Sequence, residues 1–140
     1  MASYVKYENF VQVLMNKEVD LFGTTDTVNA AIHTDAPVVA TDTALANLTQ
    51  ITGTGYAVGD IQNDATRAGG TVTMTGVDFV WTAGAADWTS TARYVSIYDD
   101  TATTPTADPL IASWDYGATF AVGNGETFTL DFGASVFTIA

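Results

Sequence analysis

The sequence predicts an all-β fold: an antiparallel β-sandwich or jelly-roll-like single domain with a short helical turn and an N-terminal arm. Short apolar segments rich in β-branched and aromatic residues recur along the 140 residues, and Gly, Asn, Asp and Pro separate them. Hydrophobic residues make up 47% of the chain and charged residues only 14%, which supplies one sizeable core. Several short strands at close spacing are typical of sandwiches and jelly rolls.

The N-terminal segment, residues 1–21, is treated as a unit apart from the sandwich domain at residues 22–140. Val11, Val13 and Met15 alternate with other side chains, which slightly favours a strand and leaves a short helix open. The segment is interpreted either as the first strand of the domain or as an arm that docks on a neighbouring subunit. The aromatic contact residues of such an arm would be Tyr4, Tyr7 and Phe10.

The next strand is predicted at residues 27–34 and contains His33, the only histidine. A histidine that acts as a general base needs an orienting carboxylate and a nearby nucleophile, and Asp35 lies two residues on, on the same face of a strand. We expect a structural role for His33. After it, Asp42 is the predicted N-cap of a short helical turn at residues 44–48.

Residues 51–60 are rich in glycine, with the spacing GxGxxxG. This spacing matches neither the P-loop nor the dinucleotide fingerprint, so it predicts a bulged loop around Tyr56. Residues 71–83 alternate clearly, but the parity of the apolar positions changes across Gly76. Such a change predicts a β-bulge or a bend between two sheets. The loop that follows carries Trp88, which we expect to be exposed.

Two apolar runs, residues 93–98 and 110–114, flank a polar stretch and predict a strand, a turn and a returning strand. Asp99 and Asp100 would form the polar tip of this hairpin. Arg93, one of two arginines among many carboxylates, is expected to form an ion pair within the fold or across subunits.

The C-terminal region predicts a second hairpin and a last strand. Gly-Asn-Gly at residues 123–125 lies between residues 120–122 and the alternating segment 127–132, which is a hairpin signal. Residues 136–139 supply the final short strand.

Charge excludes several classes of partner. The net charge of −12 would repel the phosphates of nucleic acids and the anionic surface of membranes. The chain has no cysteine for a disulfide or a thiolate metal site. The start of the chain has no basic segment followed by a long apolar one, and no apolar run is long enough to cross a membrane. We therefore expect a soluble protein made in a cytoplasm.

Acidic residues are the abundant reactive groups, and two kinds of site can be built from them. A calcium site would use oxygens of Asp99, Asp100, Asp108 and Asp115, although no EF-hand spacing is present. The same carboxylates could form a glycosidase pair. Among the tryptophans, Trp88 is the best candidate for stacking on a sugar, because Trp81 and Trp114 lie in apolar strand patterns. No Ser-His-Asp pattern stands out, so we expect no enzyme activity, no cofactor and no metal.

Four blocks together resemble a group of small structural proteins of tailed bacteriophages. The blocks are IHTDAP, ITGTGYAVGD, ARYVSIYDDT with PLIASWDYG after it, and the final ETFTLDFGASVFTI. The resemblance covers the chain from about Asp26 to the C-terminus.

The resemblance implies a capsid decoration, or cement, protein on the outside of the virion, assembled in the host cytoplasm. Its partners would be the major capsid protein and its own copies, as a homotrimer, with no nucleic acid and no membrane. The alternative is a carbohydrate-binding β-sandwich of a phage head or tail fibre. The expected interaction residues are Tyr4, Tyr7, Phe10, Trp88 and Arg93.

Overall fold

A computed structural model describes residues 4–22, 25–85, 87–88 and 92–140, and all the strand pairs it contains are antiparallel. The predicted all-β fold is confirmed. The strands are β1 (Tyr4–Lys6), β2 (Val28–His33), β3 (Gly59–Asp60), β4 (Asp64–Ala68), β5 (Thr71–Thr75), β6 (Phe79–Thr82), β7 (Ala92–Asp99), β8 (Leu110–Phe120), β9 (Thr127–Leu130) and β10 (Phe137–Ile139). They are accompanied by the helix α1 (Glu8–Met15) and a 3₁₀ turn at Leu45–Asn47.

The strands form one large and two small sheets. The five-stranded sheet has the order β1-β8-β7-β2-β3, and the small sheets are β10-β5-β4 and β6-β9. The pairing of β7 with β8 confirms the predicted hairpin. All six residues of β2 are buried because both faces of the large sheet are covered. The main core covers one face, and a second cluster with Tyr7, Leu48, Tyr98 and Leu110 covers the other.

The N-terminal segment contributes both a strand and a helix to the domain. The strand β1 pairs with β8, with Tyr4 opposite Trp114. The prediction that favours a strand around residues 11–15 is wrong, because these residues belong to α1. Phe10 and Val13, three positions apart, share the buried face of this helix, whereas Val11 and Met15 share the exposed face. The helical spacing of Phe10 and Val13, and not an alternation of apolar residues, therefore places side chains in the core.

The path of the chain after β5 confirms one prediction and corrects another. Across Gly76 the chain leaves one small sheet and enters the other, as the change of parity predicts. The hairpin predicted around residues 123–125 is wrong, because β9 pairs with β6 and not with the end of β8. A turn still forms there, with the N–H of Glu126 donating to the carbonyl of Gly123 at 2.8 Å.

Asp42 is not the N-cap of the 3₁₀ turn, so this prediction is wrong. The N-cap is Ala44, and Oδ1 of Asn47 accepts the backbone N–H groups of Thr43 and Ala44, each at 3.0 Å. Oδ2 of Asp42 instead accepts the N–H of Val38 at 2.7 Å. The N–H groups of Leu45 and Asn47 in the turn itself donate to the backbone carbonyls of Asp108 and Ala44, at 3.0 and 2.9 Å, so they need no side-chain cap.

Two glycines of the 51–60 loop allow aromatic rings to approach the backbone. A Cβ atom at Gly53 would lie 2.6 Å from Cδ1 of Trp88, and one at Gly59 would lie 2.2 Å from Cζ of Phe79. Both distances are far below van der Waals contact. The glycines therefore serve close packing of these rings.

Candidate functional site

The five residues expected to mediate contacts divide into two groups. Tyr4 is 38% exposed, and the Arg93 side chain also reaches solvent. Tyr7, Phe10 and Trp88 are buried. The expected exposure of Trp88 is wrong: its Nε1–H donates to the carbonyl of Thr54 at 3.1 Å, and its ring packs edge-on against another aromatic ring. Trp88 therefore has no free face on which a sugar could stack.

A chain of hydrogen bonds crosses the covered second face of the large sheet. Nδ1 of His33 lies 2.9 Å from the carbonyl oxygen of Asp35, which can only accept, so Nδ1 carries the proton. In the neutral ring, Nε2 then accepts from the hydroxyl of Ser96 at 2.8 Å. The hydroxyl of Tyr7 donates to Oγ of Ser96 at 2.9 Å. Tyr7 thereby joins the N-terminal segment to the middle of the sheet.

Ser96, His33 and Asp35 follow one another in the order of a serine hydrolase triad, but the hydroxyl of Ser96 is not accessible to a substrate. The side chains of Tyr7, His33 and Ser96 are all 0% exposed, and the ring of Tyr94 stacks on the histidine. Burial lowers the pKa of His33, which favours the neutral ring that the hydrogen bonds require. The sequence could not indicate Ser96, because strand pairing brings it to His33 from 63 residues away.

Asp99 is not the polar tip of its hairpin, because it is 0% exposed. Its Oδ1 accepts the N–H groups of Thr101 and Ala102 at 2.8 and 3.1 Å. Its Oδ2 faces the carboxyl group of Asp26 and has no donor among the described residues. Burial, together with the neighbouring acid, raises the pKa of Asp99 to about 6. A proton on Asp99 can bridge the two carboxyl groups.

Replacement of Asp99 by Asn is expected to stabilise the fold at neutral pH. The pKa of Asp99 lies above its unfolded value, so wild-type stability is lost as the pH rises from about 4 through about 6. Asn keeps the Oδ1 acceptor and supplies a permanent N–H donor toward Asp26. The quantity to follow is the difference in free energy of unfolding, Asp99→Asn minus wild type. We expect this difference to increase by about 1–2 kcal/mol between pH 4 and pH 7.

The measurement is urea unfolding of both proteins across this pH range, and Asp100→Asn is the matched control because Asp100 is exposed. His33 titrates in both proteins, so its contribution cancels in the difference. A difference that stays constant from pH 4 to pH 7 would contradict the shared proton.

The carboxylates proposed for calcium are not brought to one place. Asp100 and Asp108 are neighbours, and burial with the Asp100 charge raises the pKa of Asp108. Asp115 lies toward the other end of the sheet, opposite Tyr94. Across the described ranges there is no group of three or more acidic or histidine side chains that could hold a metal ion.

Arg93 forms the expected ion pair, and its partner is Asp115 within the fold. Nε and Nη2 of Arg93 donate to the two carboxylate oxygens, both at 2.8 Å. Oδ1 of Asp115 also accepts the N–H of Gly117 at 2.8 Å. These bonds, with that of the arginine first, lower the pKa of Asp115 to about 2. The pair fixes the backbone where β8 departs from regular pairing.

An apolar groove of about 520 Å³ lies between β1, α1 and β10. Its most exposed side chains are Tyr4 at 38%, Val11 at 48%, Met15 at 79% and Ile139 at 44%. Both β1 and β10 are outermost strands, so each has one edge that pairs with no strand in the described part of the chain. Large apolar side chains and free strand edges together are typical of surfaces that bind other proteins.

Comparison of the chain with protein-family models, with curated proteins and with solved structures gives no match. Among the described residues, no helix is long and apolar enough to cross a membrane.

Proposed function

We propose that this protein is a capsid decoration protein of a tailed bacteriophage, which binds the outer surface of the shell and bridges neighbouring capsomers. The groove between β1, α1 and β10 is the observation that carries the proposal. It offers apolar contacts from the helix and the outer edges of two strands, which pair with no strand in the described part of the chain and suit an extended segment of a partner. Bridging of this kind stabilises a shell through buried area and requires no chemistry.

The proposed partners are the major capsid protein and further copies of this chain in a trimer. Cyclic symmetry lets one patch be used in each copy. The net charge of −12 suits the exterior of a capsid, away from packaged DNA. The buried positions of His33 and Ser96 are compatible with a structural role, since the hydrolase-like constellation that they form has no access to substrate.

A double variant, Val11→Glu with Met15→Lys, is expected to weaken binding through the groove without harm to the fold. Both side chains are exposed, and Glu followed by Lys four positions later supports a helix. The net charge is unchanged. Burial of a Val or Met side chain contributes about 1.5–3 kcal/mol, so binding should weaken at least about tenfold.

The measurements are light scattering of the isolated protein and binding to capsids that lack it. Val38→Glu with Val77→Lys is the matched control, because both valines are 55% exposed and neither lines the groove. The control should bind and associate as wild type does. If the groove variant also forms the wild-type oligomer and protects capsids from heat equally well, the proposal fails.

A further inference from the structure

The strand β8 carries a large bulge that exposes one aromatic side chain. Ala92 pairs with Phe120 and Tyr94 with Asp115, so four residues of β8, 116–119, lie opposite Arg93 alone. Gly117 has a φ of 92°, in the left-handed region that favours glycine. The ion pair between Arg93 and Asp115 closes the base of the bulge. Bulges commonly redirect side chains next to binding sites.

The bulge holds Tyr116 out from the sheet over other aromatic rings. Tyr116 is 60% exposed, and its ring centroid lies 5.0 Å from that of Phe120 and 5.9 Å from that of Phe128. Phe120 and Phe128 stack at 4.4 Å with an angle of 9° between their planes. Tyr116 is thus supported from the side of the protein while much of its surface remains open to solvent.

A pocket of about 500 Å³ opens beside this tyrosine. Trp114 and Leu130, both largely buried, contribute apolar surface, and Tyr116 with Phe128 contributes aromatic surface. Exposed Thr129 and Asp131 add a hydroxyl and a carboxylate. Oδ1 of Asp131 accepts the N–H of Gly133 at 2.7 Å, which fixes the carboxylate. A volume of this size and a few placed polar groups are usual for a small-ligand site.

We propose that this pocket binds a neutral saccharide. The aromatic surface suits the C–H face of a sugar ring, and Asp131 and Thr129 suit its hydroxyl groups. The net charge of −12 disfavours anionic ligands. A quaternary ammonium ion is less well matched, because one face of Phe128 is covered by Phe120 and does not complete an aromatic cage. The site uses Tyr116 and Asp131 and does not rest on the groove proposed for capsid binding.

The test is an array of neutral, sialylated and sulfated oligosaccharides, followed by calorimetric titration of each glycan that binds. We expect wild type to bind neutral glycans. Tyr116→Ala should weaken binding at least about tenfold because the stacking surface is lost, whereas Tyr116→Phe keeps it and should bind nearly as wild type. Asp131→Asn keeps the Oδ1 acceptor for Gly133 but loses the charge, so it should bind more weakly than wild type.

Phe22→Ala is the matched control, since Phe22 is also an exposed aromatic residue, at 51%, but lines neither this pocket nor the groove. It should leave both glycan binding and capsid binding unchanged. The proposal is overturned if no glycan binds, if only sialylated or sulfated glycans bind, or if Tyr116→Ala binds as tightly as wild type. Titration with tetramethylammonium is the last arm: binding of this ion without binding of any glycan would also overturn it.

Discussion

Phe10→Ala is expected to lower the free energy of unfolding by about 3–5 kcal/mol, because the truncation leaves a cavity where α1 meets the rest of the domain. Phe10 is 1% exposed, and its ring lies edge-on to Phe137 with centroids 5.6 Å apart. The contact joins the N-terminal helix to the C-terminal strand. A loss of this size is a large part of the stability of an ordinary domain.

Urea unfolding at neutral pH measures the effect, and Val11→Ala is the matched control. Val11 is the next residue of the same helix but 48% exposed, and alanine is the better helix former. Its free energy of unfolding should change by less than about 0.5 kcal/mol. Equal losses in the two variants would mean that α1 does not pack on the core as described.

His33→Ala is the second large expected effect, a loss of about 3 kcal/mol in the free energy of unfolding. The change removes a buried ring, leaves the O–H of Ser96 without its acceptor, although Tyr7 still donates to Oγ, and leaves the carbonyl of Asp35 without the N–H of the ring. A cavity and unpaired buried polar groups both destabilise. The measurement is made at about pH 7.5, where the ordinary pKa of histidine keeps the ring neutral in the unfolded chain as well.

Thr34→Ala is the control for this variant, because Thr34 adjoins His33 and its hydroxyl, which the change removes, donates a long hydrogen bond of 3.4 Å to the carbonyl of Thr49. We expect it to cost less than about 1 kcal/mol. If His33→Ala were as stable as the control, the buried network would not be structural, and a catalytic role for His33 and Ser96 would have to be considered again.

The sequence predicts those parts of the fold whose signals are local. The two apolar runs around the Asp-rich turn predict β7 and β8, and the change of parity at Gly76 predicts the passage between sheets. The preference of Arg93 for carboxylates predicts an ion pair. Each of these depends on residues close in sequence or on a general property of one side chain.

The errors arise where distant parts of the chain decide the outcome. A turn forms at residues 123–125, but the strand after it pairs with β6, more than 40 residues earlier. Trp88 becomes buried because Gly53 leaves room for its ring. Asp99 is buried because backbone N–H groups satisfy one of its oxygens.

The candidate sites were harder to predict than the strands. The groove is formed by residues from both ends of the described chain. The sequence around Ile139 gives no indication that this residue lines a groove. In the sequence pattern, Tyr116 lies at the end of a predicted apolar strand. Only Gly117 hints at the bulge, and the ion pair between Arg93 and Asp115 is needed to form it.

The proposed role as a decoration protein is tested most directly by a three-dimensional reconstruction of phage capsids with and without this protein. We expect added density on the outer surface at three-fold or quasi-three-fold positions, with the groove between β1, α1 and β10 buried against the shell or a neighbouring copy. Density that leaves this groove open to solvent, or the absence of added density on the shell, would contradict the account.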